Sequence, residues 1–212
     1  MKTNQIGRSM VEMLGVLAII GVLSVGSIAG YSKAMQKYKI GKFTDQMTNI
    51  IANIRTVFAT QNSTSGLDNE NIKKMGLVPD SMYTSSDAYS IRHFWGGTIY
   101  FGTASTYDSG TMSRPMSVDN VFYISMNLIP KDVCMNILTA DWGTDLVGIG
   151  ATWSGSSPTP PSHNIEVGNE NYAVTGDINY SPPFSMTRAE KTCSKSDEEN
   201  GSGMTLYWYF RL

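Results

Sequence analysis

With 212 residues and a formal net charge of −2, the chain offers no electrostatic case for bulk nucleic-acid binding. Its apolar residues are spread unevenly. An uncharged run of about twenty, Met13 to Ser32, lies near the start and matches the length a helix needs to cross a bilayer. The remaining stretch of roughly 150 residues, rich in Gly, Ser, Thr and Asn, is enough for one solvent-facing domain with its own core.

Lys2 and Arg8 precede the apolar run, as in a targeting signal. The small residues at its far end (Ser24, Gly26, Ser27, Ala29, Gly30) do not interrupt the helical pattern, so the run is expected to stay with the protein. Glu12 stands at its head. A carboxylate at the edge of a membrane span is costly unless a positive group meets it, which makes Glu12 a functional candidate. The nearest candidate partner is an α-amino group created by cutting the chain after Gly7. Gly15, Gly21, Gly26 and Gly30 either loosen the helix or permit close packing between membrane helices.

From Tyr31 the pattern turns amphipathic. Ile40, Phe43, Met47, Ile50, Ile51, Ile54, Val57 and Phe58 recur at three- and four-residue spacing. This predicts one helix from about Met10 to Gln61, with two helices hinged near Gly41 as the alternative. Asn62 to Gly66 ends it with turn chemistry. Residues 67–90 connect, with a short helix before Met75-Gly76 and a stop at Pro79. Strand patterns follow at Gly97–Gly102, Asn120–Asn127, Leu146–Trp153, Tyr172–Tyr180 and Met204–Arg211. Between the second and third, Ile129–Leu138 reads as a short helix carrying Cys134. Ser154–Ser162 reads as a loop within the domain. The expected class is α+β, a long N-terminal helix packed on an antiparallel sheet.

Little points to reaction chemistry. His93 and His163 have no metal-binding spacing and are expected on the surface or in loops. Gly96-Gly97 lacks the lysine and helix of a phosphate loop. Asp197-Glu198-Glu199 reads as a solvated turn rather than a calcium loop. Tyr207-Trp208-Tyr209-Phe210 alternates faces on a strand, so half of it is expected in the core and half free for a contact. No nucleophile, base and orienter come together, so no enzyme, cofactor or metal is expected.

The octapeptide Gly7-Arg8-Ser9-Met10-Val11-Glu12-Met13-Leu14 resembles the processing site of type IV pilins and their relatives. The resemblance implies a leader at 1–7 cut by a prepilin peptidase, N-methylation of Arg8, and Glu12, fifth from the cut, neutralising the amino terminus of a neighbouring subunit. It also implies a helix at 8–61, with 13–32 as membrane span and filament core, and a globular domain at 62–212. This chain has Arg8 where the family usually has an aromatic or aliphatic residue, and it lacks the family's common mid-helix proline near Ala29-Gly30. The order of elements in the domain is similar to type IVb pilins, whereas the short leader is more like type IVa.

Cys134 and Cys193 are either two buried thiols or a disulfide. A domain outside the cytoplasm favours the disulfide, which matches the disulfide-bounded C-terminal region of pilins, here 134–193. Orientation carries a conflict. Lys33, Lys37, Lys39 and Lys42 follow the span with no acid before Asp45, so the positive-inside rule would leave that end in the cytoplasm. The processing motif and the cysteine pair imply the opposite, an inner-membrane anchor with a cytoplasmic N-terminus. The expected function is a structural subunit of an extracellular helical filament of identical chains, assembled by an inner-membrane platform. A pseudopilin of a type II secretion system and an anchored binding module that never polymerises are the alternatives.

Overall fold

The computed structural model describes residues 10–84, 89–103, 120–152, 172–174, 183–194 and 204–212. Gly7, Arg8, the 154–162 loop, His163, the second half of the strand expected at 172–180 and the acidic turn at 197–199 lie outside the described residues. The chain divides between Lys42 and Phe43 into two compact units.

A single helix, α1 (Met10–Phe58), has helical backbone straight through Gly41. In the first unit its apolar side chains are exposed from Met10 to Ile28. In the second unit the same helix supplies core. Phe43, Met47, Ile50, Ile51, Ile54 and Phe58 are all buried, at the spacing that puts them on one stripe. Burying each is worth roughly 1.5–3 kcal/mol of transfer free energy, which holds this half of the helix to the domain.

Two short elements follow, α2 (Asn69–Lys74) and a 3-10 turn at Asp80–Met82. Asp68 caps α2 by accepting a bond from the Asn71 N–H at 2.7 Å. The sheet comprises β1 (Ile91–Arg92), β2 (Thr98–Thr103), β3 (Val121–Ile129), β4 (Leu146–Thr152), β5 (Tyr172–Val174) and β6 (Met204–Arg211). These pair antiparallel throughout, in the order β1-β2-β3-β6-β4-β5. The last strand therefore enters between β3 and β4. The connection from β3 to β4 carries α3 (Lys131–Thr139), and α4 (Met186–Ser194) precedes β6.

One sheet face carries Phe122, Ile124, Trp208 and Phe210 in cross-strand register, with Phe122 and Phe210 stacked at 5.7 Å. Arg55 of α1 lies over the Phe210 ring at 5.8 Å and pairs with Asp145 at 2.9 Å. The opposite face clusters Val121, Val147, Tyr207 and Tyr209, with Tyr123 packed against them. All four aromatics of Tyr207–Phe210 are thus buried, not only the alternate pair that strand periodicity suggested. The strand sits in the middle of the sheet and is covered on both faces, so alternation no longer separates core from surface.

Beyond the two-residue β1, the edge of β2 is covered by a side chain. Asn69 accepts from the Phe101 N–H at 2.9 Å and donates to the Ile99 carbonyl at 3.0 Å, as a further strand would. Asn69→Ala is expected to destabilise the protein by about 2 kcal/mol, since it leaves the partly buried Phe101 N–H without a partner and takes one of two donors from the Ile99 carbonyl, which also faces Ile91 of β1. A urea midpoint that moves by no more than the scatter between preparations would show that water replaces the carboxamide at little cost.

Candidate assembly site

The first unit presents what the sequence promised chemically. No residue of the most apolar 18-residue window of α1 is buried, and the helix is long and apolar enough to cross a membrane. Its hydroxyls do not spoil this surface. Ser24, Ser27 and Ser32 each donate to the carbonyl four residues earlier (Ile20, Leu23 and Ile28) at 2.7, 2.7 and 3.0 Å. Each hydroxyl is satisfied within its own helix, as an apolar medium requires. Glu12 lies in the first described turn of α1 and is exposed. Among the described residues no cation pairs with it.

In the second unit a disulfide joins Cys134 to Cys193, with Cα atoms 6.0 Å apart and both residues fully buried. The alternative of two separate thiols is thereby excluded. Cys134 arrives on α3, with Val133, Ile137 and Leu138 burying the same side. Cys193 arrives on α4, a helix the sequence pattern missed. Its signal was present: Ser185 accepts from the Arg188 N–H through its hydroxyl at 3.3 Å, an N-cap directly after Pro183-Phe184. The Phe184 N–H donates to the Leu138 carbonyl at 2.9 Å, tying the entrance of α4 to the end of α3.

His93 departs from expectation. It is buried at 6% exposure, not on the surface. It opens the β1–β2 hairpin, whose turn Phe94-Trp95-Gly96 ends in a left-handed glycine with φ 90°. Trp95 packs edge-on to Phe43 of α1 at 5.5 Å. The Trp95 N–H donates to His93 Nδ1 at 3.2 Å, so the ring hydrogen lies on Nε2 and is donated to the Asn127 carbonyl at 2.8 Å. The Asn127 side-chain oxygen in turn accepts from the Thr98 N–H at 2.8 Å. A Cβ on Gly97 would overlap the Asn127 carbonyl and the His93 ring, which is why glycine stands there. The tandem glycines were the available signal of a tight approach.

Burial pushes His93 down from 6.5 to about 4, the Asn127 carbonyl opposing and the nearby Arg92 charge adding to the shift. Because the folded value is depressed, the unfolded chain takes up the proton first as pH falls. The stability held by neutral His93 is complete above about pH 6.5 and is lost as pH falls from there through about 4. The loss amounts to about 3 kcal/mol relative to a His93→Gln variant, measured by urea unfolding of the detergent-solubilised chain at both ends of that window. Parallel pH profiles for the two proteins would mean the imidazole is not held neutral.

An exposed apolar helix headed by a lone carboxylate, continuous with a disulfide-stapled α+β domain, is the arrangement of a type IV pilin. Comparison with known proteins agrees. The family model described as Bundlin matches residues 32–211, and the chain belongs to the Bundlin family. The major structural subunit of bundle-forming pilus from Escherichia coli O127:H6 (strain E2348/69 / EPEC) is 23% identical over 156 residues, 74% of this chain and 75% of that one. Its counterpart from Escherichia coli O111:H- is 23% identical over 153 residues, 72% and 74% of the two chains. The crystal structure of type IV b pilin from Salmonella typhi is 15% identical with a TM-score of 0.49, covering 81% of this chain and 99% of that one. The family match begins at Ser32, the last residue of the apolar run, so it bears on the domain and the second part of α1 rather than on Gly7, Arg8 and Glu12.

Proposed function

We propose that this chain is a structural subunit of a type IV pilus-like filament and has no enzymatic role. The observation that carries this is the exposed 18-residue apolar window of α1 in a chain of the Bundlin family. A surface of that kind in water is a liability, so it must be covered by lipid or by copies of itself. Before assembly, residues 13–32 span the bacterial inner membrane, with the N-terminus in the cytoplasm and the domain at 62–212 outside, where its disulfide persists. A prepilin peptidase removes residues 1–7 and the new amino group of Arg8 is methylated. An assembly platform in the inner membrane then moves the helix from lipid into a bundle of identical helices. Glu12 meets the amino terminus of a neighbour there and sets the axial register.

Electron microscopy of surface filaments, labelled with antibody against the 62–212 domain, tests this. Label along the length of the filaments, lost on deleting the gene, is expected. Label confined to the cell envelope with no filaments would favour a pseudopilin or an anchored binding module.

A further inference from the structure

At the end of the apolar run and just past it, α1 carries Tyr31, Lys33, Lys37, Tyr38, Lys39 and Lys42, with no carboxylate anywhere between Glu12 and Asp45. Tyr31 and Tyr38 are 66% and 61% exposed, Lys33, Lys37 and Lys42 are exposed, and Lys39 is half-buried. At about 100° per residue, Lys33 and Lys37 lie on one side of the helix, and Lys39 and Lys42 on the opposite side. A basic stripe meant for one acidic protein partner would occupy one side. Charge on both sides suits surroundings that are anionic all the way round.

We infer that Tyr31–Lys42 forms a collar that binds the phosphate groups of anionic phospholipid headgroups at the membrane surface before assembly. The inference rests on the apolar run being a membrane span. At 1.5 Å per residue, Lys33 and Lys37 fall within the roughly 5–8 Å headgroup layer beyond the last span residue, Ser32. Lys39 and Lys42 lie farther out but reach back along their four-carbon stems. Tyr31 and Tyr38 supply the amphipathic rings that settle at the same level. The lysines that conflict with the positive-inside rule thus acquire a ligand on the outer leaflet. The collar also fixes the depth at which Glu12 waits at the other end of the span.

The test uses the full chain reconstituted in phosphatidylcholine vesicles with trace spin-labelled phosphatidylglycerol or phosphatidylcholine. The motionally restricted fraction of each label measures its selection by the protein. Carbonate washing of the same vesicles reports insertion separately. The wild type is expected to select phosphatidylglycerol about threefold or more at low salt, falling in high salt as exposed charges are screened. The variant K33Q/K37Q/K39Q/K42Q should remain inserted and select neither lipid, and the corresponding fourfold arginine variant should regain the preference. An inserted wild type with equal selection overturns the inference, as does a glutamine variant that keeps the preference. A chain washed out by carbonate overturns the membrane span itself, and the collar with it.

Discussion

Cells carrying Glu12→Ala are expected to make no filaments, while the subunit stays folded and membrane-bound. In the proposed bundle the carboxylate meets the amino terminus of a neighbour among packed apolar helices, far from water. Removing one partner of such a pair leaves the other charge buried alone and costs roughly 3–5 kcal/mol. Each subunit carries the same defect, so the cost recurs at every addition and elongation stops. The folded domain is untouched, because its core draws on α1 only from Phe43 onward. Glu12→Gln separates charge from size: it retains the shape and a hydrogen-bonding group, and should fail nearly as completely. Filaments of normal number and length in Glu12→Ala would remove this residue from the assembly mechanism, whatever else the helix does.

The second large effect lies at the disulfide. Cys134 and Cys193 close a loop of 59 residues between α3 and α4. Constraining a loop of that length in the unfolded chain stabilises the native state by about 4 kcal/mol on the chain-entropy account. A domain of this size loses roughly 2–4 °C of melting temperature per kcal/mol, so Cys134→Ser should melt about 10 °C lower than the wild type. The double variant C134S/C193S should behave alike, since either substitution opens the same loop. Wild-type protein treated with reductant after unfolding should refold to the stability of the variants. Equal melting temperatures with and without the bond would show that α3 and α4 hold the region by packing alone, through Leu138, Phe184 and Ala189.

What the sequence made legible follows from where one physical signal dominates. The apolar run and the stripe from Phe43 to Phe58 are pure periodicity, and both halves of α1 behave as the pattern said. Strands β2, β3, β4 and β6 were visible because β-branched and aromatic runs are bounded by turn residues. Their order was not: β6 inserts between β3 and β4, a long-range pairing that local pattern does not encode. Burial on both faces hid the fate of Tyr207 and Tyr209 for the same reason. Helix α4 was missed because its residues, Met186 to Ser194, are mostly polar, and only Ala189, Thr192 and Cys193 are buried. His93 was misplaced because its burial depends on Asn127, thirty-four positions away in sequence, and on a glycine that leaves room for the ring.

Intact mass and N-terminal sequencing of protein sheared from the cell surface test the central claim most directly. A chain that begins at Arg8, lacks the seven-residue leader and is two hydrogens lighter than its reduced sequence is the predicted result. One additional methyl group would place the modification on the new amino terminus. A chain that still begins at Met1 and is recovered only with the membrane would contradict the filament account and leave an anchored domain that does not polymerise.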